Sequence, residues 1–239
     1  MNDEERAIVA RARDYPYPFP HESFLYTDDG PQPFAPEQTE SRTPVLAIGS
    51  NQSPIRLNQK FGHDARHTIP VQRAALADFD VVYSAHIAAY GSVPAMLQAA
   101  TGCTVAVAIT WLDDEQLAIM NETELSSANY HLAELGNLAL RLDDGRVVDR
   151  MCAYVSQRGH VRGPGDQAMA LRAVPCEGRV LSAFHTHDAL EIVREKFAAE
   201  LSPAAFILRL VRDRDYRRGI IAQMSADAVA FAYPMCIIE

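Results

Sequence analysis

The stretch "PVLAIGSNQSPIRL", residues 44–57, decides how the middle of the chain folds. It opens with an apolar run that ends at Gly49, which predicts a short buried strand. A segment with helical spacing follows, with Ser53 suited to cap the helix and Pro54 to occupy its first position. The sequence therefore predicts a strand, a tight loop and a helix.

The loop between this strand and this helix has little side-chain bulk. Gly49, Ser50 and Asn51 leave backbone N–H groups unshielded, and the start of a helix adds the positive end of its dipole. Such a loop can hold a carboxylate or a developing oxyanion. Strand–glycine–helix junctions are also common for structural reasons alone, so the loop by itself leaves both interpretations open.

The segment before this unit is unusual in its proline content. Residues 3–13 predict a short helix, and "YPYPFPHESFLYTDDGPQPFAPEQTE", residues 15–40, then contains six prolines and many aromatic rings. Proline lacks a backbone donor, so we expect an extended arm outside the sheet interior. Its rings should be buried on the surface of the same domain or on a second subunit, which leaves a homodimer open.

Strand patterns outnumber helical ones between residues 44 and 157, and they recur at hairpin spacing. Residues 77–91 and 102–112 are β-rich, residues 113–125 predict a helix, and two apolar runs flank the turn "DDGR" at 143–146. This pattern favours a largely antiparallel sheet or small barrel over a doubly wound sheet. After a glycine-rich loop at residues 157–167, the pattern becomes helical at residues 182–201 and 202–224.

Charge and composition exclude several classes of partner. The chain has 239 residues and a formal charge of −9, without a Lys/Arg cluster long enough to follow a phosphate backbone. We therefore expect neither nucleic acid nor a membrane surface as a partner. The run "RLVRDRDYRR", residues 209–218, mixes both signs and predicts a solvated helix face.

Cysteine use and the N-terminus predict a cytoplasmic protein. The four cysteines are scattered singly, as expected of reduced thiols. Acidic residues stand where a signal peptide would be basic, and no apolar run approaches the ~20 residues that a membrane-spanning helix needs.

Histidine pairs raise the question of a metal. His185 and His187 precede Asp188 at a spacing that can ligate zinc, but the sequence nominates no third or fourth ligand, and helix capping explains these residues as well. His63 and His67 stand four apart without the glutamate of a metalloprotease motif. We expect no metal and no cofactor, and a metal-dependent hydrolase stays as a third alternative.

Three segments in order carry a resemblance to a known family. "AIGSN", residues 47–51, resembles the "YGSN" signature of the γ-glutamylcyclotransferase-like family, in which that loop holds the γ-glutamyl group. Residues 81–125 are similar to the middle section of the family, and residues 129–155 resemble its closing hairpin. The resemblance covers about residues 44–157.

This resemblance implies a fold and a reaction. The fold is α+β, built on a small, mainly antiparallel barrel over residues 44–157, with residues 1–43 as an arm and residues 158–239 as an extension packed on the core. The reaction is a cyclisation of the lyase or acyltransferase type, in which the α-amine of a γ-glutamyl amine, amide or peptide attacks its own side-chain carbonyl and releases 5-oxoproline. It requires no metal or cofactor.

The resemblance also implies site residues. "IMNETE", residues 119–124, brings Glu124 to the position of the family's catalytic glutamate, with Glu122 as the nearby competitor. Two positions depart from the family, because Ile48 replaces the tyrosine before the glycine and Leu125 replaces a frequent glycine. The residues expected to contact substrate are Ile48, Gly49, Ser50, Asn51, Tyr83, Ser84 and Tyr90.

The alternative is a protein of another class, a small-molecule binding or assembly module that retains this fold without turnover. Ile48 and Leu125 favour the module, whereas the glycine loop followed by a glutamate favours the enzyme. An enzyme must place the Glu124 carboxylate opposite the loop across a small cavity. Exposure of that carboxylate to bulk solvent, or a cavity filled by rings of the arm, would favour the module.

Overall fold

A computed structural model describes residues 1–62, 64, 66–125 and 129–238. His63 lies outside the described residues. The helices are α1 (Asp3–Arg13), α2 (Pro54–Phe61), α3 (Asp114–Leu125), α4 (Thr186–Phe197), α5 (Pro203–Arg212) and α6 (Arg214–Ala226). The strands are β1 (Phe24–Tyr26), β2 (Gln32–Pro33), β3 (Thr43–Ala47), β4 (Ile69–Tyr83), β5 (Ala95–Leu112), β6 (Tyr130–Leu135), β7 (Leu140–Leu142), β8 (Val147–Val148), β9 (Met151–Ser156), β10 (Ala170–Leu171), β11 (Cys176–Glu177), β12 (Ala183–Phe184) and β13 (Met235–Ile237).

The predicted strand–loop–helix unit is present as β3, a 3₁₀ turn at Ser50–Gln52 and α2. Pro54 starts α2, but the Ser53 hydroxyl does not cap it. Instead, Ser53 Oγ donates to the Pro18 carbonyl at 2.7 Å. The serine therefore ties the arm to the loop, a non-local contact that no local pattern predicts.

One sheet joins all the strands, in the order β12–β10–β4–β5–β3–β9–β6–β13 along its main path. The long strands β4 and β5 form its centre and pair antiparallel with a bulge between Ala77 and Phe79. Strand β3 lies antiparallel to β5 and parallel to β9. The glycine loop that follows β3 therefore leaves from the middle of the sheet.

The sheet is open, so the expected barrel is wrong in this respect. Closure would require its two end strands, β12 and β13, to pair, and the described residues contain no such pairing. Both end strands come from residues 158–239, where the sequence pattern predicted only a loop and helices. The α+β class itself is confirmed, since helices and a large sheet share one structure.

The arm is more integrated than its prolines suggested. Tyr15, Tyr17, Phe24 and Tyr26 are buried within the chain. Strand β1 also pairs antiparallel with the start of β4, although we expected the arm to stay outside the sheet. The reason is local, because the residues between Pro20 and Pro31 contain no proline and keep their backbone donors.

The C-terminal part supplies three helices and both sheet ends. The helix expected to run through residues 209–218 breaks at Asp213, whose Oδ1 accepts the Tyr216 N–H at 2.9 Å and caps α6. The main hydrophobic cluster includes Val9 of α1, Val107 of β5 and Phe206 of α5. In the part of the chain that the structure describes, every helix is too short or too polar to cross a bilayer.

Candidate functional site

A cavity of about 1230 Å³ opens where β3 ends in the glycine loop. Its walls come from the loop, the end of α3, the arm and α6. Six of the predicted site residues line it together: Ile48, Gly49, Ser50, Asn51, Tyr90 and Glu124. The two segments that carry the resemblance, the loop and the helix bearing Glu124, therefore face one space.

Tyr83 and Ser84 lie elsewhere, although we expected them to line the pocket. Both residues are fully buried. The Tyr83 hydroxyl donates to the Phe184 carbonyl at 3.1 Å, and the Ser84 hydroxyl is 2.9 Å from Ser156 Oγ. The hydroxyl groups of both residues therefore form hydrogen bonds inside the core, because the end of β4 is buried on both faces.

Glu124 is held by two donors. Its Oε1 accepts a hydrogen bond from Asn51 Nδ2 at 3.1 Å and forms a short ion pair with Lys60 of α2. Burial raises the pKa of Glu124, but the Lys60 ammonium and the Asn51 amide more than offset this, so the pKa lies below its usual value. The side chain of Glu124 is 15% exposed, so the carboxylate is not in bulk solvent.

Lys60 is a site residue that the sequence did not nominate. Its side chain is 1% exposed, and burial lowers its pKa, with Arg56 adding to the effect and Glu124 opposing it. Its ammonium also lies 3.0 Å from Met120 Sδ. The residue belongs to the same helix as Ile55 and Leu57, and nothing in that helical pattern marks a lysine that points inward.

Two acceptor oxygens of Asn51 and Glu124 are not used in this pair. Asn51 donates through Nδ2, while its buried Oδ1 has no hydrogen-bond partner among the described residues. Both bonds to Glu124 use Oε1, and Oε2 accepts none from the described residues. Glu122, two positions away, is exposed and does not line the cavity. An ammonium group could therefore be held between Asn51 and Glu124.

A tyrosine from the arm supplies a hydroxyl that Ile48 lacks. Tyr15 lines the cavity, and its hydroxyl oxygen accepts hydrogen bonds from the N–H groups of Ala95, at 2.8 Å, and Ser50. A Cβ on Gly49 would stand only 2.3 Å from that oxygen. Burial raises the pKa of Tyr15 despite these two bonds, so the group stays protonated. The glycine is needed because the hydroxyl approaches the loop so closely.

Six arginines also line the cavity, and three of them belong to the run 209–218, which we predicted to be a solvated helix face. They are Arg11, Arg56, Arg158, Arg214, Arg217 and Arg218. Arg214 and Arg218 are exposed, as expected of a solvated helix face, and together with the half-buried Arg217 they also border the cavity. A helical projection that starts at Asp213 would have grouped positions 214, 217 and 218 on one face.

The histidine pair at the start of α4 has a structural role. Asp188 Oδ2 accepts the His185 N–H at 3.1 Å, which is the predicted cap. The two imidazole rings stack with centroids 5.5 Å apart. Within the described ranges, no group of three His, Cys, Asp or Glu side chains is positioned to hold a metal ion.

No family model and no curated protein matches the sequence. Several solved structures resemble its structure. A γ-glutamyl cyclotransferase is 14% identical, over 91% of this chain and 95% of that chain, with a TM-score of 0.39. An uncharacterized protein from Homo sapiens is 13% identical, over 92% of this chain and 95% of that chain, with a TM-score of 0.39. YkqA from Bacillus subtilis is 16% identical, over 89% of this chain and 73% of that chain, also with a TM-score of 0.39.

These structural neighbours include the family that the sequence resembles. At such identities and TM-scores, the overlap carries no argument about activity or site residues. The function proposed for this chain rests on its own side chains.

Proposed function

We propose that this protein is a γ-glutamylcyclotransferase-like enzyme that releases 5-oxoproline from a γ-glutamyl amine, amide or peptide. One observation carries the proposal: the Glu124 carboxylate and the loop Gly49–Asn51 line the same cavity. They come from segments more than 70 positions apart in the chain, so local structure does not explain why they meet. The carboxylate is also withdrawn from bulk solvent, as the enzyme hypothesis requires.

The chemistry is a proton transfer coupled to an intramolecular attack. The substrate's α-ammonium loses a proton to Glu124, and the free amine attacks the γ-carbonyl carbon to form the new C–N bond of the ring. The ring nitrogen then gives up its second proton as the old C–N bond breaks. The leaving nitrogen takes up both protons, the first through Glu124, so the products are a neutral lactam and an ammonium ion. Because attacker and carbonyl belong to one molecule, holding the substrate in a folded pose supplies much of the rate.

Donors and acceptors in the cavity suit these steps. Asn51 Oδ1 and Glu124 Oε2 are acceptors for the α-ammonium. The Tyr15 hydroxyl already accepts from two backbone N–H groups, so its own proton is free to be donated to the oxyanion of the tetrahedral intermediate. In this proposal Tyr15 takes the place of the tyrosine that Ile48 replaces.

The Lys60–Glu124 pair is the observation that favours the rival, a binding module without turnover. A carboxylate whose pKa is lowered by a buried ammonium is a weak proton acceptor. The enzyme hypothesis requires the substrate's ammonium to compete with Lys60 for the same carboxylate. The module requires only that the ion pair and the cavity bind a γ-glutamyl ligand.

A panel of γ-glutamyl amines and peptides separates the two hypotheses when 5-oxoproline is measured directly by mass spectrometry. We expect release by the wild type and a loss of at least about 100-fold in kcat for Glu124→Gln, because a positioned base contributes about that much or more. The matched control is Glu122→Gln, which should retain the activity.

Two results would contradict the proposal. Calorimetric binding of the compounds without any release would favour the module, and unchanged turnover in Glu124→Gln would remove the assigned base.

Tyr15→Phe should lower kcat more than it raises KM if its hydroxyl serves the oxyanion. A change in KM alone would limit Tyr15 to substrate binding.

A further inference from the structure

The cavity concentrates positive charge in a protein whose net charge is −9. The six arginines that line it come from α1, α2, the segment after β9 and α6. Glu124 is the one acidic side chain among the described residues that line the same space. Since Glu124 is already paired with Lys60, it does not neutralise this wall. We call the six residues the arginine wall: Arg11, Arg56, Arg158, Arg214, Arg217 and Arg218.

Most of the arginine wall has no counter-charge. Only Arg218 has a carboxylate within ion-pair distance among the described residues, Asp215 at 3.6 Å, and both side chains are mainly exposed. Arg11 and Arg56 lie over the ring of Tyr90, 5.3 and 5.8 Å from its centroid, and share Gln59 as a neutral acceptor. Some exposed arginines away from the cavity do form ion pairs, as Arg150 does with Glu134 at 3.1 Å.

Two buried nitrogen atoms at the wall have unused hydrogen-bonding capacity. Arg56 Nε and His86 Nδ1 have no hydrogen-bond partner among the described residues. Burial, with Arg158 and Arg217 adding to it and Glu124 opposing it, lowers the pKa of His86 to about 4, so the imidazole is neutral near pH 7. It can then donate to an anion or accept from a ligand without adding to the repulsion.

The spacing on α6 brings three like charges together. Asp213 and the Leu210 carbonyl, which accepts from Arg217 Nη1 at 2.5 Å, offset part of their repulsion. Arg214 faces Arg217 and Arg218 at positions i+3 and i+4, where like charges destabilise a helix. The mutual repulsion contributes to a lowered pKa of Arg217, after the larger effect of burial. A bound anion would remove this repulsion, and arginine binds carboxylate and phosphate oxygens through paired N–H groups.

We propose that the arginine wall binds the leaving part of the substrate, and that this part is an amine carrying two or more negative charges as carboxylates or a phosphate. The inference rests on the proposed function, since it names the substrate class of the same site. Acceptors at Asn51 and Glu124 would hold the ammonium end, and the wall would hold the anionic end. A neutral leaving amine would leave the wall uncompensated.

Matched pairs of substrates test the preference. We expect kcat/KM for γ-glutamyl-glutamate to exceed that for γ-glutamyl-glutamine at least about tenfold, because one buried charge–arginine contact is worth about that much or more. The ratio of kcat/KM for γ-glutamyl-phosphoethanolamine to that for γ-glutamyl-ethanolamine tests the preference for a phosphate. The pair with the larger ratio identifies which oxyanion the wall prefers, and ratios near one in both pairs would overturn the inference.

Variants locate the effect. Arg214→Gln combined with Arg218→Gln alters exposed side chains of α6, so the fold should survive, and we expect the preference for the acidic substrate to fall at least about fivefold. Arg150→Gln removes an exposed arginine far from the cavity and should leave the ratio unchanged. A ratio that falls equally in both variants would indicate a general charge effect and contradict a specific site.

A binding measurement without turnover keeps this inference separate from the proposed function. Calorimetry with tricarballylate and with pyrophosphate at low salt should detect binding, weakened at least about fivefold in Arg214→Gln/Arg218→Gln and unchanged in Arg150→Gln. If these anions bind through the wall but no γ-glutamyl compound releases 5-oxoproline, the anion site stands and the enzymatic proposal fails. If 5-oxoproline is released but neither anion binds, the inference is wrong and the enzymatic proposal stands.

Discussion

Because Lys60 is paired with Glu124, the substitution Glu124→Gln affects both the proposed base and a buried ion pair. The carboxylate serves as the proposed base and also as the counter-charge of an ammonium that is only 1% exposed. A lost reaction in Glu124→Gln could therefore follow from a displaced Lys60 as well as from a missing base. Stability measurements distinguish the two, because an uncompensated buried charge is expensive whether or not the protein is an enzyme.

We expect Glu124→Gln to lower the free energy of unfolding by about 3 kcal/mol, since it leaves Lys60 buried without its partner. Adding Lys60→Met should recover most of this loss, because a neutral pair of similar volume avoids the charge altogether. Urea unfolding of the single and double variants measures both effects. Equal stabilities of the wild type and Glu124→Gln would contradict the buried ion pair.

The same pair predicts a pH dependence. The pKa of Glu124 is lower in the folded chain than in the unfolded one, so its contribution is fully present above the unfolded value of about 4.3 and is lost as the pH falls through the folded value. The stability difference between the wild type and Glu124→Gln should therefore shrink below about pH 4. A difference that stays constant down to about pH 3 would contradict the assigned shift.

Helix α6 shows how one capping residue positions several cationic groups. Asp213 ends α5, accepts the Tyr216 N–H and so sets where α6 begins. Arg214 is the first residue of α6, and Arg217 and Arg218 follow one turn later. The orientation of half of the arginine wall therefore depends on this break between two helices.

At the scale of this element, we expect Asp213→Ala to lower the free energy of unfolding by about 1 kcal/mol, as the loss of an N-cap does. Asp213→Asn should cost only a few tenths of that, because asparagine caps as well as aspartate. Ser202→Ala is the matched control on α5, where Ser202 Oγ accepts the Ala205 N–H at 3.3 Å. Ser202→Ala should lower the free energy of unfolding by a similar amount and leave pyrophosphate binding unchanged. Asp213→Ala should lower the free energy of unfolding and also weaken pyrophosphate binding.

All three proposed parts contribute to the largest hydrophobic cluster. The arm provides Tyr15, the middle part provides Val107, and the C-terminal part provides Phe206. Arg179 adds a polar tie, with Nε donating to Asp80 Oδ2 at 2.8 Å and Nη2 to the Val174 carbonyl at 2.8 Å. The division into an arm (1–43), a core (44–157) and an extension packed on that core (158–239) stays a proposal.

We expect the three parts to unfold together, because each buries apolar surface on the others. Fluorescence of Trp111, the single tryptophan, reports on β5, and far-UV circular dichroism reports largely on the helices. Both should give the same urea midpoint in the wild type. Arg179→Met should lower that midpoint in both probes together, since it leaves the fully buried Asp80 unpaired.

Separate transitions for the two probes would contradict this prediction and would support an independently folding C-terminal part. Expression of residues 44–157 alone gives a second check. That fragment lacks Tyr15, Phe206 and both end strands of the sheet, so we expect it not to fold.

Local signals in the sequence determined the helices at residues 3–13 and 113–125, the strand before Gly49 and the small loop after it. Each has caps, periodicity or a glycine within a few residues. Glu124 and the loop were placed by resemblance, and the structure brings them to one cavity.

Tertiary structure decided the features for which no local signal exists. The two- and three-residue strands at the sheet ends depend on partners far along the chain, as does the open sheet. Lys60, Tyr15 and the arginine wall acquire their roles from burial and from neighbours on other elements. Periodicity records which face of an element is apolar, but a charged or hydroxyl group turned toward a distant cavity leaves no periodic trace, because its partners are far away in the sequence.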